Sequence, residues 1–84
     1  MKLVYFAWLR ERLGMGDETV DLPESVQTVS DLFEWLKQRE EPFADVFEHS
    51  EIIQVALDKK HAQDRAALIE GASEIALFPP MTGG

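Results

Sequence analysis

The two most apolar segments lie at opposite ends of this 84-residue chain, and they constrain the fold most strongly. The first segment, Lys2 to Leu9, is predicted to be a strand, and the last strand is predicted at Ile75 to Phe78. Both are apolar at consecutive positions, which is typical of strands inside a sheet and often of parallel pairing. We therefore expect the two strands to lie side by side at the sheet centre.

Between these strands the sequence predicts one amphipathic helix. Thr28 and Asp31 have the spacing of a capping box, in which each side chain bonds to the other residue's amide. Apolar residues then follow at i, i+3, i+4 and i+7, at Val29, Leu32, Phe33 and Leu36. The helix is expected to end near Glu40, because Pro42 restricts the residue before it.

The remaining elements are predicted to be short. Further strands are predicted at Asp17 to Leu22, at Ile52 to Leu57 and near His61-Ala62. Helical turns are predicted at Arg10 to Gly14 and around Phe43, Val46 and Phe47, and Leu68 and Ile69 are expected to fill the core. The whole chain, residues 1–84, is predicted to be a single domain, with residues 79–84 as an extended tail.

One helix covers only one face of such a sheet, so we expect an α+β fold with a mixed sheet of four to five strands. The opposite face of the two central strands would leave aromatic residues such as Phe6 or Phe78 near water. Exposed aromatic patches tend to mark contacts with other proteins. Periodicity does not decide which face of each strand meets the helix, so the patch is a hypothesis.

Charge and composition narrow the class of partner. The formal net charge is −8, which argues against nucleic acid as a ligand. The acidity is consistent either with solubility alone or with steering towards a basic partner surface. With no cysteine, no long apolar run and no signal-peptide pattern, the sequence predicts a cytoplasmic protein whose core holds without disulfides.

The chain ends in Phe78-Pro79-Pro80-Met81-Thr82-Gly83-Gly84, directly after the last predicted strand. One interpretation is a frayed terminus, since glycines at chain ends are common. We favour the other, a functional tail, because proline ends strand pairing and glycine lets the backbone enter a narrow slot. The six residues from Pro79 span about 20 Å when extended. Such a tail suits activation of its carboxylate by another enzyme, since the chain has no phosphate-binding loop.

No catalytic constellation is evident elsewhere. The acidic pairs Glu40-Glu41 and Asp17-Glu18 are interpreted as solvated surface, and His49 and His61 lack the spacing of metal ligands. No metal site is predicted, and no cofactor is expected to bind. Arg10 and Arg12 either contact a partner or are simply solvated.

The opening Val4 to Glu11, the capped helix and the closing Glu74 to Gly84 resemble the small, sulfur-carrying subunit of molybdopterin synthase, within the MoaD/ThiS-type ubiquitin-like family. The strand-Phe-Pro-Pro-x-Thr-Gly-Gly ending is the specific part of the resemblance, which extends over the whole chain. This chain departs from the family pattern at three places. It has Ala72-Ser73 where the family usually has Gly-Asp, Leu57-Asp58 where Val-Asn is frequent, and Met81 where a β-branched residue is commoner.

The resemblance implies a ubiquitin-like β-grasp fold and a sulfur-transfer role. An E1-like enzyme would adenylate Gly84 with ATP, and a sulfur donor would convert it to a thiocarboxylate. The tail would enter the large subunit of a heterotetrameric synthase and donate sulfur to cyclic pyranopterin monophosphate, making molybdopterin. By matching position, Gly83 would belong to the reactive end together with Gly84. The residues that would contact the large subunit are Phe6, Arg10, Phe78, Pro79, Pro80, Met81 and Thr82.

Three alternatives stay open. The sulfur carrier of thiamin synthesis also ends in a diglycine, although that family tends to be shorter and lacks a Phe-Pro-Pro segment before its ending. A protein modifier would join Gly84 to lysines of its targets. A non-covalent binding module would use the sheet and leave the tail idle.

Overall fold

The computed structural model describes residues 1–80. The elements are β1 (Lys2–Tyr5), α1 (Ala7–Leu13), β2 (Asp17–Thr19), α2 (Val29–Lys37), α3 (Phe43–Phe47), a 3₁₀ turn (Ser50–Ile52), β3 (Gln54–Leu57), β4 (Lys60–His61) and β5 (Glu74–Phe78). Across residues 1–80 the strands form one mixed sheet in the order β2-β1-β5-β3-β4. The predicted α+β class is confirmed.

The first and last strands are neighbours at the sheet centre, as predicted. β1 and β5 pair in parallel, with Leu3 opposite Ile75 and Tyr5 opposite Leu77. β3 pairs antiparallel with the other edge of β5. Because β5 is hydrogen-bonded on both sides, the segment that leads into the tail is firmly held.

A single hydrophobic core lies between the sheet and the helices. The buried sheet residues are Leu3, Tyr5, Val55, Ile75 and Leu77, and the helices contribute Leu9, Leu13, Val29, Leu32, Phe33, Leu36, Phe43, Val46 and Phe47. All three α-helices therefore pack on the same face of the sheet. Within residues 1–80, no helix is both long and apolar enough to cross a membrane.

The capping box of α2 is confirmed. The Asp31 amide donates to Oγ1 of Thr28 at 3.1 Å, and the Thr28 amide donates to Oδ2 of Asp31 at 3.2 Å. The Asp31 carboxylate also accepts from the Gln27 amide at 3.0 Å, and this bond and the one from the Thr28 amide hold the pKa of the carboxyl below its usual range. The predicted helix end near Glu40 is wrong, because α2 ends at Lys37. Beyond Lys37 the chain makes a tighter, 3₁₀-type turn, in which the Arg39 amide donates a hydrogen bond to the Leu36 carbonyl at 3.2 Å.

The predicted first strand, Lys2 to Leu9, is wrong beyond Tyr5. Ala7 has φ 53°, which breaks the strand, and α1 follows with Leu9 and Leu13 buried on one side. A short apolar run fits a buried strand and a buried helix equally well, so its composition hid this boundary. The predicted end of the helical turn is confirmed, since Gly14 caps it with φ 75°.

Three other boundaries differ from the predictions. The second strand ends at Thr19, not Leu22, although the Val20 amide still donates to the Met1 carbonyl at 2.9 Å. The third begins at Gln54, because Arg65 binds the Ser50 and Ile53 carbonyls at 3.0 and 2.7 Å and holds that stretch as a turn. β4 covers Lys60–His61, one residue earlier than predicted.

The expectation that both Leu68 and Ile69 fill the core is half wrong. Ile69 is buried, while Leu68 is 63% exposed. Leu68 bridges to Thr28, and the Ile69 amide donates to the Gln27 carbonyl at 3.0 Å. In such an extended segment, neighbouring side chains point to opposite sides, so only one of the two meets the core.

The two unusual turns, at Asp58 and at Ser73, meet in the structure. The Asp58 carboxylate accepts hydrogen bonds from the amides of Ser73 and Glu74 at 2.9 and 3.0 Å. Asp58 and Lys59 both have positive φ, at 47° and 71°, as a tight hairpin turn requires. The β3–β4 turn thereby holds the start of β5.

Candidate functional site

The candidate site begins where β5 leaves the sheet. Phe78, its last residue, lies opposite Gln54 of β3, and on the other side the Phe6 amide donates to the Leu77 carbonyl at 3.1 Å. Pro79 is half-buried and Pro80 is exposed. The predicted tail residues Met81, Thr82, Gly83 and Gly84 lie outside the described residues.

The sheet face away from the helices forms a continuous surface, which we call the open face. In its middle, Val4 lies opposite Ala76, and Ala76 lies opposite Ala56. These small side chains are half-buried, and the two aromatic residues stand at the tail end of the face. Phe6 is 48% exposed and Phe78 is half-buried. The structure thus places both predicted partner-binding aromatics on one face.

A polar corner of this face was missed by sequence reasoning. His61 lies opposite Ala56 in the sheet, and its Nε2 is 3.0 Å from Oε1 of Gln54. The imidazole also packs near Phe78, with 5.8 Å between ring centroids. Sequence reasoning considered His61 only as a metal ligand, because its position on this face follows from strand register and from no local signal.

Arg10 lies on α1, one helical turn after Phe6. Its side chain is exposed and extends over the Gly16 turn, where a Cβ on Gly16 would lie 3.3 Å from the arginine Nε. Arg10 makes no ion pair within residues 1–80. The neighbouring Arg12 lies over the Trp8 ring at 5.5 Å. The Arg10 guanidinium therefore lies over the turn before β2, whose Gly16 carbonyl accepts from the Tyr5 amide at 2.9 Å.

Beneath this end, a hydrogen-bonded network joins β1, β2 and the residues after α2. The Tyr5 hydroxyl donates to the Glu18 carboxylate, which Arg39 also binds at 2.9 and 3.2 Å. The guanidinium of Arg39 lies 3.8 Å from the Phe43 ring centroid. Burial, and then the bond to Glu18 and the charge of its carboxylate, raise the pKa of the Tyr5 hydroxyl well above its usual range.

This network corrects the interpretation of the acidic pairs as surface groups. Asp17 is exposed, but the Glu18 side chain is only 16% exposed and is paired with Arg39. Glu40 and Glu41 are exposed, as predicted. No group of three His, Cys, Asp or Glu residues within residues 1–80 is placed to hold a metal ion.

Comparison with known proteins identifies the family of this chain and relatives that it resembles. The ThiS family model matches residues 3–84, which include the tail. The molybdopterin synthase sulfur carrier subunit of Homo sapiens is 27% identical over 84 residues, covering 100% of this chain and 93% of that protein. The subunit of the same name from Arabidopsis thaliana is 29% identical over 84 residues, covering 100% of this chain and 82% of that protein.

Two solved structures share the fold. SAMP1 from Haloferax volcanii aligns with a TM-score of 0.68 and 26% identity, covering 99% of this chain and 97% of that chain. A Pyrococcus furiosus structure described as molybdopterin converting factor, subunit 1, aligns with a TM-score of 0.66 and 21% identity, covering 94% of each chain. The ubiquitin-like β-grasp fold is confirmed, and the family match over residues 3–84 shows that this chain belongs to the ThiS family.

Proposed function

We propose that this chain is the sulfur carrier subunit of a molybdopterin synthase. The observation that carries the proposal is the position of β5 at the sheet centre, where its last residue, Phe78, leads into Pro79 and Pro80 at the same end of the sheet as the exposed Phe6. The names of the human and Arabidopsis relatives support this function over that of a thiamin-pathway carrier. The family match, which extends to Gly84, supports a role for the tail.

The proposed chemistry takes place on the carboxylate of Gly84. A carboxylate is a poor acyl donor, so an E1-like partner would first join it to AMP from ATP, releasing pyrophosphate. Sulfide delivered by a sulfur donor would then displace AMP and leave a thiocarboxylate; a persulfide donor would form an acyl disulfide, which a thiol would reduce to the same product. In the synthase, sulfur would pass to cyclic pyranopterin monophosphate, and water would restore the carboxylate oxygen. Gly83 has no side chain to obstruct entry into the partner sites.

The described residues would dock and aim the tail and supply no catalytic side chain. Phe6 and Phe78 would bury their exposed surface against the large subunit, and Arg10 would pair with an acid at its edge. The net charge of −8 would speed encounter with a basic partner surface. ATP would be bound by the activating partner, in the cytoplasm, and the final assembly would be a heterotetramer around two large subunits.

Intact-mass measurement after co-expression with an E1-like enzyme and a sulfur donor tests this proposal. We expect a mass change equal to replacement of one oxygen by sulfur at Gly84, and copurification of a large synthase subunit. A matched variant with one alanine after Gly84 should fold and bind but stay unmodified. Lysine-linked conjugates would instead show a modifier, and thiazole synthesis a thiamin carrier. An unchanged mass with full partner binding after removal of Gly83-Gly84 would show a non-covalent module.

A further inference from the structure

The end of the sheet opposite the tail carries an open groove of about 740 Å³. Apolar side chains line it, namely Met1, Val20, Leu22, Val26, Leu68 and Ile69. Met1 precedes β1, whose first residue lies beside Glu74, the first residue of β5. The tail leaves from the last residue of β5, so the groove and the tail are at opposite ends of the same central strands.

The walls of this groove are held by backbone hydrogen bonds. The Val20 amide donates to the Met1 carbonyl at 2.9 Å on one side, and the Ile69 amide donates to the Gln27 carbonyl at 3.0 Å on the other. The groove is therefore formed before any ligand arrives, which lowers the ordering cost of binding. Leu68 stands on its rim with 63% of its surface exposed.

Three carboxylates accompany the apolar lining, at Asp21, Glu24 and Glu70, and all three residues are exposed. Within residues 1–80 none of them belongs to an ion pair. No lysine or arginine lines the groove, and the cation among its lining residues is the Met1 ammonium, which donates to the Val20 carbonyl at 3.1 Å. Apolar side chains beside a rim whose net charge is negative are complementary to an apolar side chain flanked by cations. An anionic membrane or a nucleic acid would be repelled.

We propose that this acidic groove docks a basic segment of a partner protein, with one aliphatic side chain seated beside Leu68 and flanking lysines or arginines paired with the rim carboxylates. The occupant is a partner other than the protein that holds the tail. Because the groove is at the far end of the sheet, such a partner can bind while the open face and tail are engaged. The proposal does not depend on sulfur transfer, so either can fail without the other.

Amide chemical shifts of the full, ¹⁵N-labelled chain test the proposal. The probe is an acetylated, amidated heptapeptide, Lys-Arg-Lys-Leu-Lys-Arg-Lys, and two control peptides replace its leucine by glycine or its cations by glutamate. We expect saturable shifts at the amides of Val20, Leu68 and Gly71 with the leucine peptide. Leu68→Ser should weaken its binding about fivefold or more, as should Glu24→Gln combined with Glu70→Gln.

Matched control variants separate the groove from general effects of surface charge and apolar exposure. Ile52→Ser removes a similarly exposed aliphatic side chain elsewhere, and Glu48→Gln removes a remote carboxylate, so neither should change the affinity for the peptide. The proposal is overturned if the glycine peptide binds as well as the leucine peptide. It is equally overturned if the shifts map to the open face, or if no saturable shift occurs.

Discussion

Replacement of Phe6 by alanine is expected to weaken binding of the large synthase subunit without unfolding the chain. Phe6 is 48% exposed, so about half of its side chain remains available for burial by a partner. Full burial of a phenylalanine side chain stabilises by roughly 1.5–3 kcal/mol, so this half is worth about 0.7–1.5 kcal/mol. We therefore expect the dissociation constant to rise about three- to twelvefold.

The assay is isothermal titration of the full chain into a purified large subunit. Ile52→Ala is the matched control, since Ile52 is 45% exposed but lies in the 3₁₀ turn, beside Trp8 and His49. Its affinity should stay within about twofold of the parent, while both variants should show comparable urea midpoints. Equal losses of affinity in the two variants, or no loss with Phe6→Ala, would refute the assignment of the open face as the docking surface.

Three further predictions concern the scaffold. Thr28→Ala removes the N-cap of α2 and should lower the free energy of unfolding, measured in urea, by about 1 kcal/mol, while the affinity for the large subunit stays unchanged. A loss of binding free energy larger than the loss of stability would contradict a purely structural role. Asp58→Ala removes the carboxylate that binds the Ser73 and Glu74 amides and also places alanine at a positive φ, so it should cost about 2 kcal/mol of unfolding free energy. Asp58→Asn keeps an acceptor and tolerates the same φ, so it should cost less, and equal urea midpoints for the two variants would count against this contact. The pKa of the Tyr5 hydroxyl is raised in the folded protein, so the folded chain holds this proton more tightly than the unfolded chain does. Stability should therefore fall above about pH 10, where the tyrosine of the unfolded chain loses its proton. Tyr5→Phe should flatten that slope between about pH 9 and about pH 11 in urea titrations, and an unchanged slope would contradict the assignment.

Several features of the fold were predictable because they are encoded locally. The N-cap and apolar stripe of α2 involve residues three or four positions apart, and the structure places both as predicted. Likewise, the apolar composition of β1 and β5 predicted their central position. The diglycine ending is visible in the sequence itself, so the candidate reactive end at Gly84 could be identified without a structure.

Errors arose where local patterns were ambiguous. The run after Tyr5 is as apolar as the strand before it, so only tertiary packing of Leu9 and Leu13 determines that it turns into α1. Glu18 resembled a surface acid because its partner Arg39 is 21 residues away along the chain. Sequence spacing cannot show such a pairing, since folding alone brings the two charges together.

The sequence by itself determined the capped helix α2 and the central strand that precedes the diglycine ending. Only the tertiary structure decided which side chains share the open face, because strand register sets the facing of every residue and a one-residue slip would invert it. Register pairs Tyr5 with Leu77, so that the next residues, Phe6 and Phe78, lie at the same end of the sheet, and it places His61 opposite Ala56, within hydrogen-bond distance of Gln54. The acidic groove likewise exists only in the folded chain, since its walls, at Val20 and Leu68, come from segments far apart in sequence.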